Sequence, residues 1–278
     1  MEKFPKKRVF ITGAASGFGK ALAIEFARDG WKVAVSDIDE QGLAETVAAA
    51  NNSGGEGSGF RCDVTKPEDL DAAAEQLKDT WGGVDIIINN AGIAGGGKME
   101  EISLESWRRI MDINLWSVIY GCRTFIPMLS EQGGGYIVNV ASSAGILSVP
   151  EMANYNVTKA GVISLSETLR AELAQNNIGV TAVAPTFFKT NLIDNSARDA
   201  SSKKAFDFFN ASMSDSKFTS EMIVKHTMRA IKANRLYVIP QGDGKLNWYT
   251  KRLAPNFFNS LFAWLYKKKL YVFKHFQD

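Results

Sequence analysis

Tyr155 and Lys159 stand four residues apart in Tyr155-Asn156-Val157-Thr158-Lys159, which opens a long stretch of helical pattern. On a helix that spacing puts both side chains on one face. A phenol with a pKa near 10 is a poor proton shuttle at neutral pH. A neighbouring ammonium, joined by a positively charged oxidised nicotinamide, would stabilise the phenolate and bring that pKa down. Such a phenol can protonate a developing alkoxide or deprotonate an alcohol. The pair alone reads equally well as a surface Tyr beside a surface Lys. What raises it to a candidate site is Ser142, at the end of a strand-like run, which can donate to a substrate oxygen where charge accumulates. Asn114 lies inside another helical stretch, where asparagine is a poor helix former, and is expected to hold a water linking Lys159 to solvent.

Hydride chemistry needs a carrier, and the N-terminal segment supplies a place for one. Thr12-Gly13-Ala14-Ala15-Ser16-Gly17-Phe18-Gly19 follows the first apolar run and opens a helix. Gly13, Gly17 and Gly19, with Ser16 and Phe18 among them, let the backbone pass close to a pyrophosphate on the helix N-terminus. Asp37 follows at the distance of about 20 residues expected for an acid that accepts from the adenosine ribose hydroxyls and repels a 2′-phosphate. Ile38 comes next, and the Gly-rich turn holds no Arg or Lys, so NAD is expected as cofactor and NADP is disfavoured. Asp37 has one other reading, a cap for the next helix. Asp63-Val64 has two open readings: contact with the adenine edge through the Asp side chain and a backbone amide, or a cap for the helix near Pro67. In Asn89-Asn90-Ala91-Gly92, small Ala91 and Gly92 would admit the ribose while the Asn amides tie neighbouring strands.

The elements needed to position these groups follow from hydrophobic periodicity. Strand-like runs occur at Val9–Thr12, Lys32–Asp37, Gly59–Cys62, Asp85–Asn89, Tyr136–Ala141, Val180–Ala184 and Leu236–Ile239. Helical patterns fill Gly17–Asp29, Glu40–Asn51, Pro67–Trp81, Leu104–Leu129, Asn154–Gln175 and Thr219–Ala233, with loops at Asn51–Gly59 and Ala91–Gly97. The alternation predicts an α/β, Rossmann-like, doubly wound parallel sheet of about seven strands. A length of 278 residues, 45% apolar, suits one domain, residues 1–278, with its core near 7–240.

A net charge of +2 gives no basis for nucleic-acid binding. Cys62 and Cys122 match neither a disulfide framework nor a metal site and are expected in the core. No signal-peptide pattern or membrane-spanning run is evident, so a cytoplasmic protein is expected.

Taken together, Thr12–Gly19, Asp37, Asp63-Val64, Asn89–Gly92, Asn114, Ser142 and Tyr155/Lys159 make the chain resemble the short-chain dehydrogenase/reductase family, in its single-domain branch, over roughly residues 7–240. The resemblance implies a catalytic tetrad of Asn114, Ser142, Tyr155 and Lys159, with the last two also holding the cofactor ribose. It further implies Thr190 as a ligand of the nicotinamide carboxamide, with Pro185 and Phe188 of the same segment beside the cofactor. Assembly as a homodimer or homotetramer through the helices of Asn114 and Tyr155 is implied as well. One departure stands out: Thr186 replaces the glycine that usually follows the proline, and Phe187 and Phe188 are positioned to narrow the nicotinamide pocket. Ser143 is read as a backbone-bonded loop serine.

The segments expected to cover the substrate contribute Ile93, Ile146, Leu147, Val149, Met152, Phe187, Leu192 and Ile193, then Phe206, Phe208 and Phe209, without a cluster of Arg or Lys. That composition points to a small lipophilic alcohol, ketone or aldehyde. The C-terminal extension, 245–278, carries seven Lys or Arg against one Asp, a net of +6 that leaves −4 for the rest. From Asn256 to Phe276 it reads as an amphipathic helix with Phe258, Leu261, Leu265 and Val272 near one face. Two readings stand for it: peripheral contact with a membrane interface, or packing on protein. Two other functions fit parts of this pattern, an NADP-dependent 3-oxoacyl thioester reductase and a non-enzymatic NAD-sensing module. The latter has no need of Ser142, Tyr155 and Lys159 together.

Overall fold

The apolar runs of this chain are nearly continuous because most strands are covered on both faces. In the computed structural model, which describes residues 3–189 and 213–270, strand β1 (Arg8–Thr12) shows the reason. Val9 and Ile11 point into one core with Leu22 and Phe26, while Phe10 points into the other with Leu77 and Phe125. Alternate side chains of a strand face opposite sides, so a run like Val9-Phe10-Ile11 serves two layers at once. Each fully buried Leu or Phe side chain contributes about 1.5–3 kcal/mol.

The other strands are β2 (Lys32–Asp37), β3 (Glu56–Arg61), β4 (Ile86–Asn89), β5 (Gly135–Val140), β6 (Ile178–Val183) and β7 (Tyr237–Val238). They form one parallel seven-stranded sheet in the order β3-β2-β1-β4-β5-β6-β7. The chain reverses its direction of travel between β1 and β4, and a crevice outside the carboxyl ends of those strands is where such sheets bind ligands. Helices α1 (Gly17–Arg28), α2 (Glu40–Asn52) and α3 (Pro67–Trp81) match the sequence pattern closely. Cys62 and Cys122 are buried. Under the sheet, Arg8 and Asp85 form a buried ion pair at 2.8 Å.

Three elements differ from the sequence reading. The Gly/Ser-rich stretch Asn51–Gly59 is not simply a loop, because β3 begins at Glu56 and pairs in register with all of β2. Its glycines belong to an edge strand lying against α2, where a Cβ on Gly57 would come within 2.9 Å of the Val47 carbonyl. The single helix expected over Leu104–Leu129 is α4 (Leu104–Met111), a π-turn (Asp112–Trp116) and α5 (Ser117–Glu131). Beyond α6 (Ala144–Leu147), α7 (Ala153–Glu172) and α8 (Ser220–Lys232), the tail holds two helices, α9 (Gly242–Leu253) and α10 (Pro255–Lys267), instead of one.

Candidate active site

Ser142 sits just past β5, and Tyr155 and Lys159 lie one turn apart on α7. What brings the two elements together is α6, because a Cβ on Gly145 would lie 2.4 Å from the Lys159 carbonyl carbon. Only glycine lets α6 rest directly on the α7 backbone, which holds the preceding Ser142 over Tyr155. The Asn154 carboxamide accepts the Tyr155 N–H at 2.8 Å, satisfying one of the donors that a helix start leaves open. The Ser142 hydroxyl accepts the Ala144 N–H at 3.2 Å and hydrogen-bonds to the Tyr155 phenol.

Lys159 is 4% exposed and donates to the Val140 carbonyl at 2.9 Å, with its ammonium 5.7 Å from the Tyr155 ring centre. Burial lowers its pKa to about 8. Burial also pushes the Tyr155 phenol up to about 12, against the opposing effect of the Ser142 hydrogen bond. The lowered phenol expected with nicotinamide and ammonium in place is thus not a property of the protein alone, where desolvation dominates.

Asn114 occupies the π-turn, a distortion often found at functional sites. Its carboxamide accepts the Ile93 N–H and donates to the Ile93 carbonyl, both at 2.8 Å, pinning the loop after β4. A Cβ on Gly92 would lie 3.2 Å from Asn114 Oδ1 and 3.5 Å from Lys159 Nζ, so glycine keeps the space between those two side chains clear.

The β1–α1 turn suits a dinucleotide. Gly13 and Gly17 adopt φ of +64° and +56°, where side-chain-bearing residues are strained. Ser16 stands at the N-cap of α1 without a side-chain cap, which leaves the first helical N–H groups available for an anion. Gly13 presses on Ala91, where an added Cβ would lie 2.6 Å from the Ala91 Cα, and Gly19 packs under Gly13 and Asn90. Asn90 donates to the Thr12 and Gly13 carbonyls at 2.9 and 2.8 Å, and Asn89 bonds Asn139 at 2.8 Å, so these amides do tie the strands.

Asp37 accepts the Ala15 N–H at 3.0 Å and the Ile38 N–H at 2.8 Å. The cap of α2 is Asp39, through the Gly42 N–H at 3.1 Å, which removes the capping reading of Asp37. Asp63 bonds Thr65 and shapes the turn before α3, whose N-cap residue is Lys66.

One cleft joins Gly13, Ser16, Gly17, Phe18, Asn90 and Gly92 to Ser142, Tyr155, Lys159, Pro185 and Phe188. Gly19, Asp37, Ile38, Asp63, Val64, Ala91 and Asn114 lie outside its lining. Thr190 lies outside the described residues, as do Leu192, Ile193, Phe206, Phe208 and Phe209.

A model of the short chain dehydrogenase family matches residues 7–201. The chain belongs to this family. Cyclohexanol dehydrogenase of Acinetobacter sp. strain SE19 is 38% identical over 192 residues, covering 69% of this chain and 76% of that protein. A short chain dehydrogenase/reductase from Burkholderia phymatum, solved in complex with NAD, superimposes with a TM-score of 0.83 at 31% identity, covering 89% and 95% of the two chains. A short-chain dehydrogenase from Sphingobium yanoikuyae, solved with NADPH, gives 0.76 at 27% identity over 91% and 94%.

Within this short-chain dehydrogenase, the apolar part of the cleft is lined by Ile93, Leu147, Val149, Met152 and Phe187, whereas Ile146 packs into the core beneath. Met213, Asp243, Asn247 and Phe262 complete it and were missed, since three of them come from helices α9 and α10 beyond the family motifs. Gln241 was missed too. It is 2% exposed and its Oε1 accepts the Thr186 N–H at 3.1 Å. A Cβ on Gly244 would lie 3.0 Å from the Thr186 methyl, so Gly244 makes room for the residue that replaces the usual glycine. Phe187 and Phe188 diverge: Phe187 packs with the Tyr155 cluster, and Phe188 meets Phe18 edge-on at 5.8 Å. The backbone N–H of Ser143 donates to the Pro185 carbonyl at 2.9 Å, and the residue also lines the cleft.

Proposed function

We propose that this oxidoreductase interconverts a lipophilic alcohol and its ketone or aldehyde with NAD(H), using Tyr155 as the proton-transfer group. The observation that carries the reading is the convergence of Ser142, Tyr155 and Lys159 in the same cleft as the β1–α1 turn. Bound NAD would supply the hydride acceptor and a positive charge. For its part, the chain orients the substrate oxygen with Ser142, moves the proton at the Tyr155 hydroxyl, and places the Lys159 ammonium on the same helical face.

Support for NAD over NADP comes from the Asp37 carboxylate, held toward the turn by the Ala15 N–H, and from exposed Ile38 where a cation would be needed. Asp63-Val64 would meet the adenine edge, and Thr190 the carboxamide. The apolar wall of Ile93, Leu147, Val149 and Met152 favours a lipophilic substrate, and similarity to a cyclohexanol dehydrogenase agrees with it. Assembly through the outward faces of α5 and α7 is supported by Trp116 and Val157, exposed beside those helices.

The test is the rate of nicotinamide reduction with cyclohexanol and a graded series of longer alcohols, using NAD and NADP in parallel. Turnover with NAD is expected, lost in Tyr155→Phe with NADH affinity retained. Asp37→Ala is expected to narrow the preference for NAD. Equal kcat/KM for both cofactors in the unmodified protein would refute the NAD assignment, and comparable turnover in Tyr155→Phe would refute the proton-transfer role.

A further inference from the structure

We propose that the outward face of the α9–α10 pair is a docking surface for an anionic lipid interface. Helix α10 has two distinct faces. Its inner face packs, with Phe258 buried and Phe262, Leu265 and Tyr266 clustering with Val149 and Phe187. Tyr266 also donates to Glu151 at 2.7 Å. On the other face Phe257, Leu261 and Trp264 follow at i, i+4 and i+7, exposed by 63%, 38% and 51%. This corrects the sequence reading that grouped Phe258, Leu261 and Leu265 on one face, and Val272 lies outside the described residues. Helix α9 repeats the pattern with Leu246, Tyr249 and Leu253, the last 84% exposed.

Polar contacts elsewhere also hold these helices in place. Lys251 anchors α9 on the Ile146 carbonyl at 2.6 Å, and Arg252 bonds Glu167 at 3.2 Å. Tyr249 meets Trp248 edge-on at 4.7 Å, while the rest of the stripe leaves large apolar groups facing solvent at a cost.

Charge selects the occupant. Lys245, Lys267 and Lys268 are exposed on the same two helices and the turn that follows, whereas the described part of the pair has Asp243 as its acidic residue. Two copies pairing these faces would bring lysines against lysines, but an anionic surface complements them and admits Phe, Trp and Tyr at headgroup depth. Among the described residues no helix is long and apolar enough to cross a membrane, so the pair would rest in the interface. Phe262 of the same helix lines the cleft, so docking would bring the apolar end of the cleft to the lipid. That last consequence rests on the lipophilic-substrate reading; the docking does not.

The test is flotation of the full chain with vesicles of phosphatidylcholine alone and of phosphatidylcholine with phosphatidylglycerol, beside sedimentation of the free protein. Flotation with the anionic vesicles is expected, reduced at least about tenfold in Phe257→Ser/Trp264→Ser. Lys267→Gln and Lys268→Gln, which leave the apolar face intact, are each expected to reduce it about fivefold. Failure of the unmodified protein to float, or flotation unchanged in the lysine variants, overturns the proposal. A dimer that Phe257→Ser/Trp264→Ser dissociates, without flotation, overturns it in favour of a second copy. None of these readouts depends on turnover, so an error in the proposed substrate or cofactor leaves the result intact.

Discussion

Replacing Lys159 by Met should make the cofactor-free protein more stable at neutral pH while abolishing its turnover. The ammonium is 4% exposed, and it donates to a neutral carbonyl, that of Val140. Burial takes its pKa from the usual 10.5 to about 8, an interval worth about 3 kcal/mol at about 1.4 kcal/mol per pKa unit. Below pH 8 the lysine is charged in both the folded and unfolded states, and the folded state bears that full penalty. Between about 8 and 10.5 the unfolded chain binds more protons than the folded one, so stability rises with pH across this window. Methionine has similar length and no charge, but it leaves the Val140 carbonyl without its donor, a loss of about 1–2 kcal/mol. The balance is a gain of about 1–2 kcal/mol at pH 7, or a rise of a few degrees in Tm for a chain of this size. Urea unfolding of the protein and of Lys159→Met, each at pH 7 and pH 10 without nucleotide, measures it. The variant should be the more stable at pH 7, and the difference should shrink or reverse by pH 10. A variant less stable at pH 7, or a difference independent of pH, would show that Lys159 is not held against a desolvation penalty.

Three further outcomes follow from the geometry. Ser142→Ala removes the hydrogen bond that opposes the upward shift of Tyr155, so the rising limb of kcat/KM against pH for alcohol oxidation should move to higher pH, with kcat down by about 10²–10³ if the hydroxyl acts as an oxyanion donor. Gln241→Leu strands the Thr186 N–H and should raise the KM for NADH about tenfold with little change in kcat, a loss of about 1.4 kcal/mol. Asp85→Ala leaves Arg8 buried without its carboxylate and should cost about 3–5 kcal/mol of stability by urea unfolding.

Much of the sheet was legible because its strands are covered on both faces, which writes unbroken apolar runs such as Val33-Ala34-Val35 and Ile86-Ile87-Ile88 into the sequence. Edge strand β3 escaped that signal, since Glu56-Gly-Ser-Gly spends its small residues on closeness to α2 rather than on burial. The convergence of Ser142, Tyr155 and Lys159 in one cleft was legible for a different reason: a helix fixes the spacing of Tyr155 and Lys159, and Ser142 follows a strand that ends at the same edge. The π-turn at Asn114 was hidden because its cause is tertiary, the pairing of that carboxamide with Ile93 from another segment. Gln241 was hidden likewise, although the loss of glycine at Thr186 was a sign that some other group must hold the turn.

The same desolvation that weakens the fold at Lys159 would make the proposed proton-transfer site responsive to a new charge. In water a lysine and a tyrosine would both keep their ordinary pKa values and neither would respond strongly to a new charge. Buried beside one another, Lys159 falls to about 8 and Tyr155 rises to about 12, so the protein without nucleotide keeps its phenol protonated throughout the neutral range. Electrostatic interactions strengthen as the effective dielectric falls, and a cation entering this cleft therefore acts on the phenol more than it would in solvent. On the proposed function, proton release would thereby be coupled to binding of the nucleotide. The wall around it, Leu147, Val149 and Met152 with Phe262 from α10, maintains the low dielectric. Substitutions that let water in at that wall should accordingly pull both pKa values back toward their ordinary range and weaken the coupling, even though none of these side chains carries a proton.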